Sequence, residues 1–280
     1  MKNFTVAISL FFFISILTQS CGSGDNTKKS EEESSQTPSV DQLSPEALVN
    51  LGLIMVNIPS PTVIMSSLTQ SNFKFDKSFV NPIEKASDYS TNYQVAINLG
   101  VYGADLGYVS IFNQTQEVIS YFNQVNSMAE KIGVSGVFYK DFLNDINSNL
   151  NNPDTLDALI SLAFQKMHDN LKTNDRLSTT AVSIAGGWIE GLHLALLTTN
   201  NNNPNKELIN KIWNHIYAFK YVNQLLESFK DKNSDCASAY KDFQDLYKIL
   251  QPYIEKPEIG KEELPNISAQ VEKTRNKIVN

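Results

Sequence analysis

Cysteine is nearly absent. Cys21 and Cys236 are the two in the chain, too few for a disulfide framework or a cysteine-rich zinc site. Basic residues are also in deficit, 23 against 30 acidic ones, so no basic face is available for a phosphate backbone and nucleic acid is excluded as a partner. Histidine occurs at three positions, His168, His193 and His215. None of them belongs to a Ser/His/Asp or Cys/His arrangement, and no glycine loop suited to cradling phosphate is present, so hydrolase and transferase readings have no residues to rest on. Alternation with period 2 is missing except at Phe73–Phe79, the one tempting strand. No repeat of about 34 residues recurs with matching positions, which argues against a regular solenoid. Beyond the N-terminus, no segment reads as long and apolar enough to span a membrane.

What is present begins with MKNFTVAISLFFFISILTQSCGSGDN. One basic residue, Lys2, precedes an apolar run from Val6 to Leu17, shorter than the roughly 20 residues of a permanent span. The run reads as a secretory signal peptide. A cysteine directly behind it, with Ser20 before and Gly22 after, resembles a bacterial lipobox, although Thr18 and Gln19 depart from the commonest pattern. That resemblance implies diacylglycerol on the Cys21 thiol, cleavage in front of it and acylation of the new amino terminus. Stable anchoring then follows, since each buried methylene contributes about 0.8 kcal/mol and two or more chains suffice. The segments expected are a lipoprotein signal peptide at 1–20, a lipidated cysteine with a disordered linker at 21–43, and a helical domain at 44–280. The linker, rich in Ser, Lys and Glu, cannot bury enough apolar surface to order itself. Its run Glu31-Glu32-Glu33 loosely resembles the surface-export signal of Bacteroidetes lipoproteins. Without residues 1–20 the chain carries 22 basic and 30 acidic side chains, a net charge of −8.

From Ser44 onward helix signals follow one another. Ser44-Pro45-Glu46 is an N-cap with proline at the first helical position, and that helix should stop before Pro59. Ser60-Pro61 and Asn81-Pro82 restart short helices. A long one is predicted over 89–112, the next over 114–132 with Asn113 as its cap and Gly133 as its stop. Others are predicted at 137–150, 153–171, 175–199, 204–230, 235–254 and 267–279. Short loops between them make neighbours antiparallel, giving an all-α fold: a single irregular multi-helix bundle of antiparallel helical hairpins. About 235 residues suit one packed unit.

Two of these helices carry glycine. INLGVYGADLGY places Gly100, Gly103 and Gly107 on one face, and AGGWIEGLHLALL repeats the device with Gly187 and Gly191 and with Ser183 one turn back. An interior glycine costs roughly 0.5 to 1 kcal/mol against alanine, so a close helix crossing is the expected compensation. Asn98, Tyr102 and Asp105 fall opposite the first stripe. Glu190 and His193 share a face of the second helix with Gly186. That helix is apolar all round and so expected to be buried, which obliges Glu190 to be paired, hydrogen-bonded or protonated. His193, a tyrosine hydroxyl or Asp105 sharing a proton are the candidate partners. Asn98, Tyr102, Asp105, Glu190 and His193 therefore form a candidate buried polar cluster.

Glu190-x-x-His193 has the spacing of carboxylate-bridged di-iron bundles, but no second Glu-x-x-His exists: Gln165 stands three before His168 and Ile212 three before His215. Glu190 and His193 are thus weak metal candidates, and no cofactor is expected. Imelysin-type exported proteins use the reverse order, Gly-x-His-x-x-Glu. His168 and His215 read as partly exposed helix residues, Cys236 as a small buried apolar one. INLGVYGADLGY, GGWIEGLHLA some eighty residues on and IPSP at 58–61 resemble a family of all-helical Bacteroidetes lipoproteins. The resemblance implies the fold and an envelope location, and it brings no activity. Three functions are weighed: a binding or scaffolding module of the cell envelope, tethered to the outer membrane by its N-terminal lipid and holding an envelope protein or glycan; a metal-binding bundle centred on Glu190 and His193; and an enzyme with a buried Asp105/Glu190 site.

Overall fold

Ser44 opens the first helix, α1 (Pro45–Val56), by accepting a hydrogen bond from the Ala47 amide at 3.2 Å. A side-chain oxygen that satisfies an orphan amide in this way stabilises a helix start by about 1 kcal/mol. The computed structural model describes residues 44–65, 68, 73–133, 176–199 and 204–280, with scattered residues between 144 and 169. The segments expected to be a signal peptide and a linker, with Cys21, most of the two helices expected over 137–171, and His168 lie outside the described residues. Among the described residues the fold is all-α, without a strand.

After α1 come α2 (Pro61–Met65), two 3-10 turns (Lys77–Phe79 and Ile83–Ser87) and the long α3 (Asn92–Ile111). A capping box starts α3: the Gln94 amide donates to Thr91 Oγ1 at 3.1 Å and the Thr91 amide to Gln94 Oε1 at 3.2 Å. α4 (Thr115–Lys131) ends at Gly133, whose φ of +75° suits the glycine terminator the sequence predicts. Then follow α5 (Leu177–Leu197), α6 (Lys206–Tyr217), α7 (Phe219–Phe229), α8 (Ser234–Ile254) and α9 (Leu264–Val279). Asn205 caps α6 through the Leu208 amide at 2.8 Å, and Asn233 caps α8 through the Asp235 and Cys236 amides.

Several expectations change. Asn113 does not cap α4 with its side chain; it takes a left-handed turn (φ 54°), and Gln114 stands at the N-cap without a side-chain bond. The helix expected over 204–230 breaks at Ala218. Its buried positions, Ile212, Ile216, Phe219, Val222 and Leu226, run on in phase across the break, so periodicity carries no mark of it. Phe73–Phe79 is extended and then turns, forming no strand among the described residues. Its alternating aromatics cover the end of α3 instead, with Phe75 5.6 Å from Tyr108 and Phe73 6.0 Å from Phe112 between ring centroids.

α5 occupies the centre, packing against α2, α3, α6, α7, α8 and α9. Contrary to the expectation from sequence, this helix is long and apolar enough to cross a membrane, 21 residues with mean hydropathy 1.3 in its best window. Here 89% of that window is buried inside the protein, which makes α5 a core helix. Its contact with α3 is the most extensive between any two described helices. Backbone meets backbone there. A methyl group built on Gly100 would stand 1.9 Å from the Ser183 carbonyl oxygen, and one on Gly186 would stand 1.8 Å from that of Ile97. Ser183 Oγ donates to the Ala96 carbonyl at 2.8 Å across the same contact. Gly187 contributes its backbone nitrogen opposite Gly100, whereas Gly191 faces His215 and Ile64 at ordinary van der Waals distance. Gly103 and Gly107 are buried along α3.

Candidate functional site

With two helices pressed together at Gly100 and Gly186, the polar side chains of α3 and α5 must find partners inside the bundle. Glu190, 0% exposed, finds Arg275 on α9. The guanidinium donates Nε–H to Oε2 at 2.8 Å and Nη2–H to Oε1 at 2.9 Å, a bidentate pair. Burial alone would depress the Arg275 pKa; the charge and hydrogen bonds of Glu190 reverse this and hold it above the ordinary arginine value. Neither His193 nor a tyrosine is Glu190's main partner, and Arg275 was not singled out from the sequence.

Asp105, also 0% exposed, accepts the Asn81 backbone amide at Oδ2, 3.1 Å away. Burial pushes its pKa well above the usual carboxylate range, and the neighbouring Glu190 charge pushes it further; Arg275 and the Asn81 amide act in the opposite direction. Burial and the neighbouring carboxylate therefore both favour the protonated form of Asp105. Its Oδ1 has no hydrogen-bond partner among the described residues. One guanidinium thus neutralises Glu190, and burial beside it raises the Asp105 pKa.

The loop at Asn81-Pro82 seals this pair. Tyr121 donates to the Asn81 carbonyl at 2.8 Å and Tyr102 to the Pro82 carbonyl at 2.6 Å. Asn81 Nδ2 donates to the Tyr89 hydroxyl at 3.0 Å, and that hydroxyl donates to the Val279 carbonyl at 3.1 Å. Asn98 Nδ2 reaches the Ile278 carbonyl at 3.2 Å. Orphan carbonyls at the C-terminal end of α9 are satisfied in this way. Burial raises the pKa of both Tyr102 and Tyr121, keeping their protons available for donation. The loop residue Asn81 and the tyrosines Tyr89 and Tyr121 were not predicted members of the cluster.

His193 lies one turn from Glu190 and is 7% exposed. Burial lowers its pKa while Glu190 opposes the shift. His215, expected to be partly exposed, is 1% exposed. Its imidazole stacks on Trp188, ring centroids 5.6 Å apart, with Nε2 2.8 Å from the Trp188 carbonyl, and the indole Nε1–H donates back to the His215 carbonyl at 2.9 Å. A carbonyl only accepts, so Nε2 carries the hydrogen. Burial takes the His215 pKa down to about 4. Cys236 is buried, donating to the Ser178 carbonyl at 3.2 Å, and its pKa is pushed up to about 12.

No group of three or more His, Cys, Asp and Glu side chains suited to holding a metal is found among the described residues. Beside the cluster opens a cleft of about 400 Å³ whose walls include Lys77, Val80, Asn81, Lys85, Tyr121 and Arg275. It reaches the outer partners of the two acids and not the acids themselves. A wider surface groove, about 500 Å³, runs between Leu53 on α1 and Asn57 just past its end on one side and Tyr221 and Gln224 on α7 on the other, and shares no residue with the cluster. Compared with known proteins, the chain matches no family model, no curated protein and no solved structure.

Proposed function

We propose that the chain is a binding or scaffolding module of a bacterial cell envelope, exported under its N-terminal signal, anchored to the outer membrane by lipid on Cys21 and held off it by residues 22–43. The helical domain then presents a surface and a cleft to an envelope protein or glycan. The lipobox resemblance at Cys21 supports the anchor. One observation carries the choice of binding over catalysis: the groups most able to do acid–base chemistry, Asp105 and Glu190, are both 0% exposed and are engaged by Asn81 and Arg275. A general acid or base has to come within hydrogen-bond reach of its substrate. Acids held this way stiffen a scaffold.

The test combines metabolic labelling with capture. Cells expressing the full chain and fed a palmitate analogue should incorporate label that Cys21→Ala abolishes, with the protein then leaving the membrane fraction. The anchored chain should enrich a discrete envelope protein or glycan that a charge-matched lipoprotein does not. Label retained without Cys21, or turnover found in a substrate screen and lost in Asp105→Asn, would overturn the reading.

A further inference from the structure

We propose that α1 lies flat on the bilayer surface with Val49, Leu53 and Val56 turned into it, so that the tethered domain settles on neutral phospholipid through this one helix. This rests on the lipid-anchor reading and adds an orientation to it: residues 22–43 set how far the domain can stand off, and α1 gives it a face to come to rest on.

α1 is apolar beyond the needs of its packing. Its 12 residues include one charge, Glu46. It packs chiefly on α7 and buries Leu51. On the opposite face Val49, Leu53 and Val56 are 63%, 59% and 77% exposed, and their spacings of four and three put them in one stripe. Gly52 falls on the same side, with nothing within 4 Å of where its Cβ would stand. Val63 on α2 joins the three as the fourth of five large apolar side chains exposed among the described residues, so bare apolar surface is concentrated directly behind the tether. A helix apolar on every side is normally covered on every side, and a contiguous exposed patch marks a contact with protein or membrane.

Area and position choose the membrane. Twelve residues make a helix about 18 Å long and 10 Å wide, so one face offers roughly 200 Å² against the roughly 800 Å² per partner of a stable protein interface. A second copy would not be held by so little. A bilayer needs no such area. Acyl chains on Cys21 already confine the domain, and residues 22–43 reach at most about 75 Å when fully extended, which makes docking of α1 an intramolecular step. Ser44, where those residues end, is itself the cap of α1, so no other helix is nearer the anchor along the chain. Charge has no part in the contact. α1 carries no lysine or arginine, and Asn50 and Asn57 border the stripe toward α7. Neutral amides at the edge and aliphatic side chains in the middle fit the headgroup boundary, where interfacial helices sink an apolar face by about 5–10 Å.

Spin labels on the acylated chain in phosphatidylcholine vesicles decide the matter. Val49→Cys, Gly52→Cys and Val56→Cys take the label one at a time at positions the fold leaves open; Cys236 is buried, with its thiol pKa pushed up to about 12, and does not compete. All three labels should collide more with oxygen, which concentrates in lipid, and less with a water-soluble nickel chelate than a label at Asp245→Cys, whose site on α8 has a side chain 91% exposed. Val49→Glu combined with Leu53→Glu should return the label at position 52 to that aqueous reference, and added salt should leave the original contact unchanged. Labels no deeper than the reference, a contact that forms only with anionic lipid, or spin–spin broadening between copies at position 52 overturns the assignment. A chain that incorporates the palmitate analogue at Cys21 and still shows all three labels in water keeps its anchor and loses this contact alone. Failure to incorporate it removes the anchor, and this contact with it.

Discussion

Arg275 grips Glu190 with two parallel N–H···O bonds of 2.8 and 2.9 Å, joining α9 to α5 inside the bundle at a carboxylate that is 0% exposed. Because Asp105 from α3 stands against the same carboxylate, three helices meet at one ionic contact. Breaking one side of such a pair leaves an uncompensated buried charge, whereas removing both sides does not. The polar core therefore fixes which helices lie together, while apolar burial supplies most of the stability.

The crossing of α3 and α5 tolerates no side chain at two positions. Gly100→Ala and Gly186→Ala each place a methyl group under 2 Å from a backbone oxygen that belongs to the other helix. Relief requires moving a backbone, so each should destabilise by about 3 kcal/mol or more, the upper end for overpacking. Gly191→Ala has its nearest atoms at 3.5 Å and should be neutral or gain up to about 1 kcal/mol from helix propensity. Urea midpoints of the three variants give the comparison.

His215 makes stability sensitive to acid. Its folded-state pKa of about 4 lies below the unfolded value of 6.5, so its contribution is complete above pH 6.5 and is lost as the pH falls through about 4. The full swing is about 3 kcal/mol. His215→Phe keeps the stack on Trp188 and gives up the Nε2 hydrogen bond to its carbonyl. Wild type should lose more stability than this variant between pH 7 and pH 4, as read from unfolding curves at each pH.

Asp105 acts in the other direction. A folded-state pKa raised by burial means that its contribution is complete below the unfolded value near 3.9 and is lost as the pH rises through the folded one. Asp105→Asn mimics the neutral acid and keeps an oxygen for the Asn81 amide. Its melting temperature at pH 8 should equal or exceed that of wild type, and its advantage should shrink toward pH 5. A large loss at pH 8 would mean that the carboxylate form is the one the fold needs.

Local pattern made α3 and α5 readable: unbroken apolar character announced burial, and glycines at helical spacing announced a close contact. Which glycine touches what was less readable, since Gly186 and Gly187 are adjacent and a wheel alone does not choose between them. His215 sits at an apolar-face position, three after Ile212 and seven after Leu208, so its burial was legible in the spacing. Arg275 hides in TRNK, which resembles a solvated charge run. Its signals are weak: four residues after Val271 and three before Ile278, and one of two arginines among 21 lysines. Asn81 and Tyr89 lie where no periodicity exists, and a loop's choice of where to lie depends on distant carbonyls at the end of α9.

A double-mutant cycle on Glu190 and Arg275 tests the buried ionic contact most directly. Arg275→Met alone should cost about 3–5 kcal/mol, and Glu190→Leu combined with Arg275→Met should recover most of that loss. Single costs below about 1 kcal/mol, or costs that simply add in the double variant, would contradict a sealed pair at the meeting point of α3, α5 and α9.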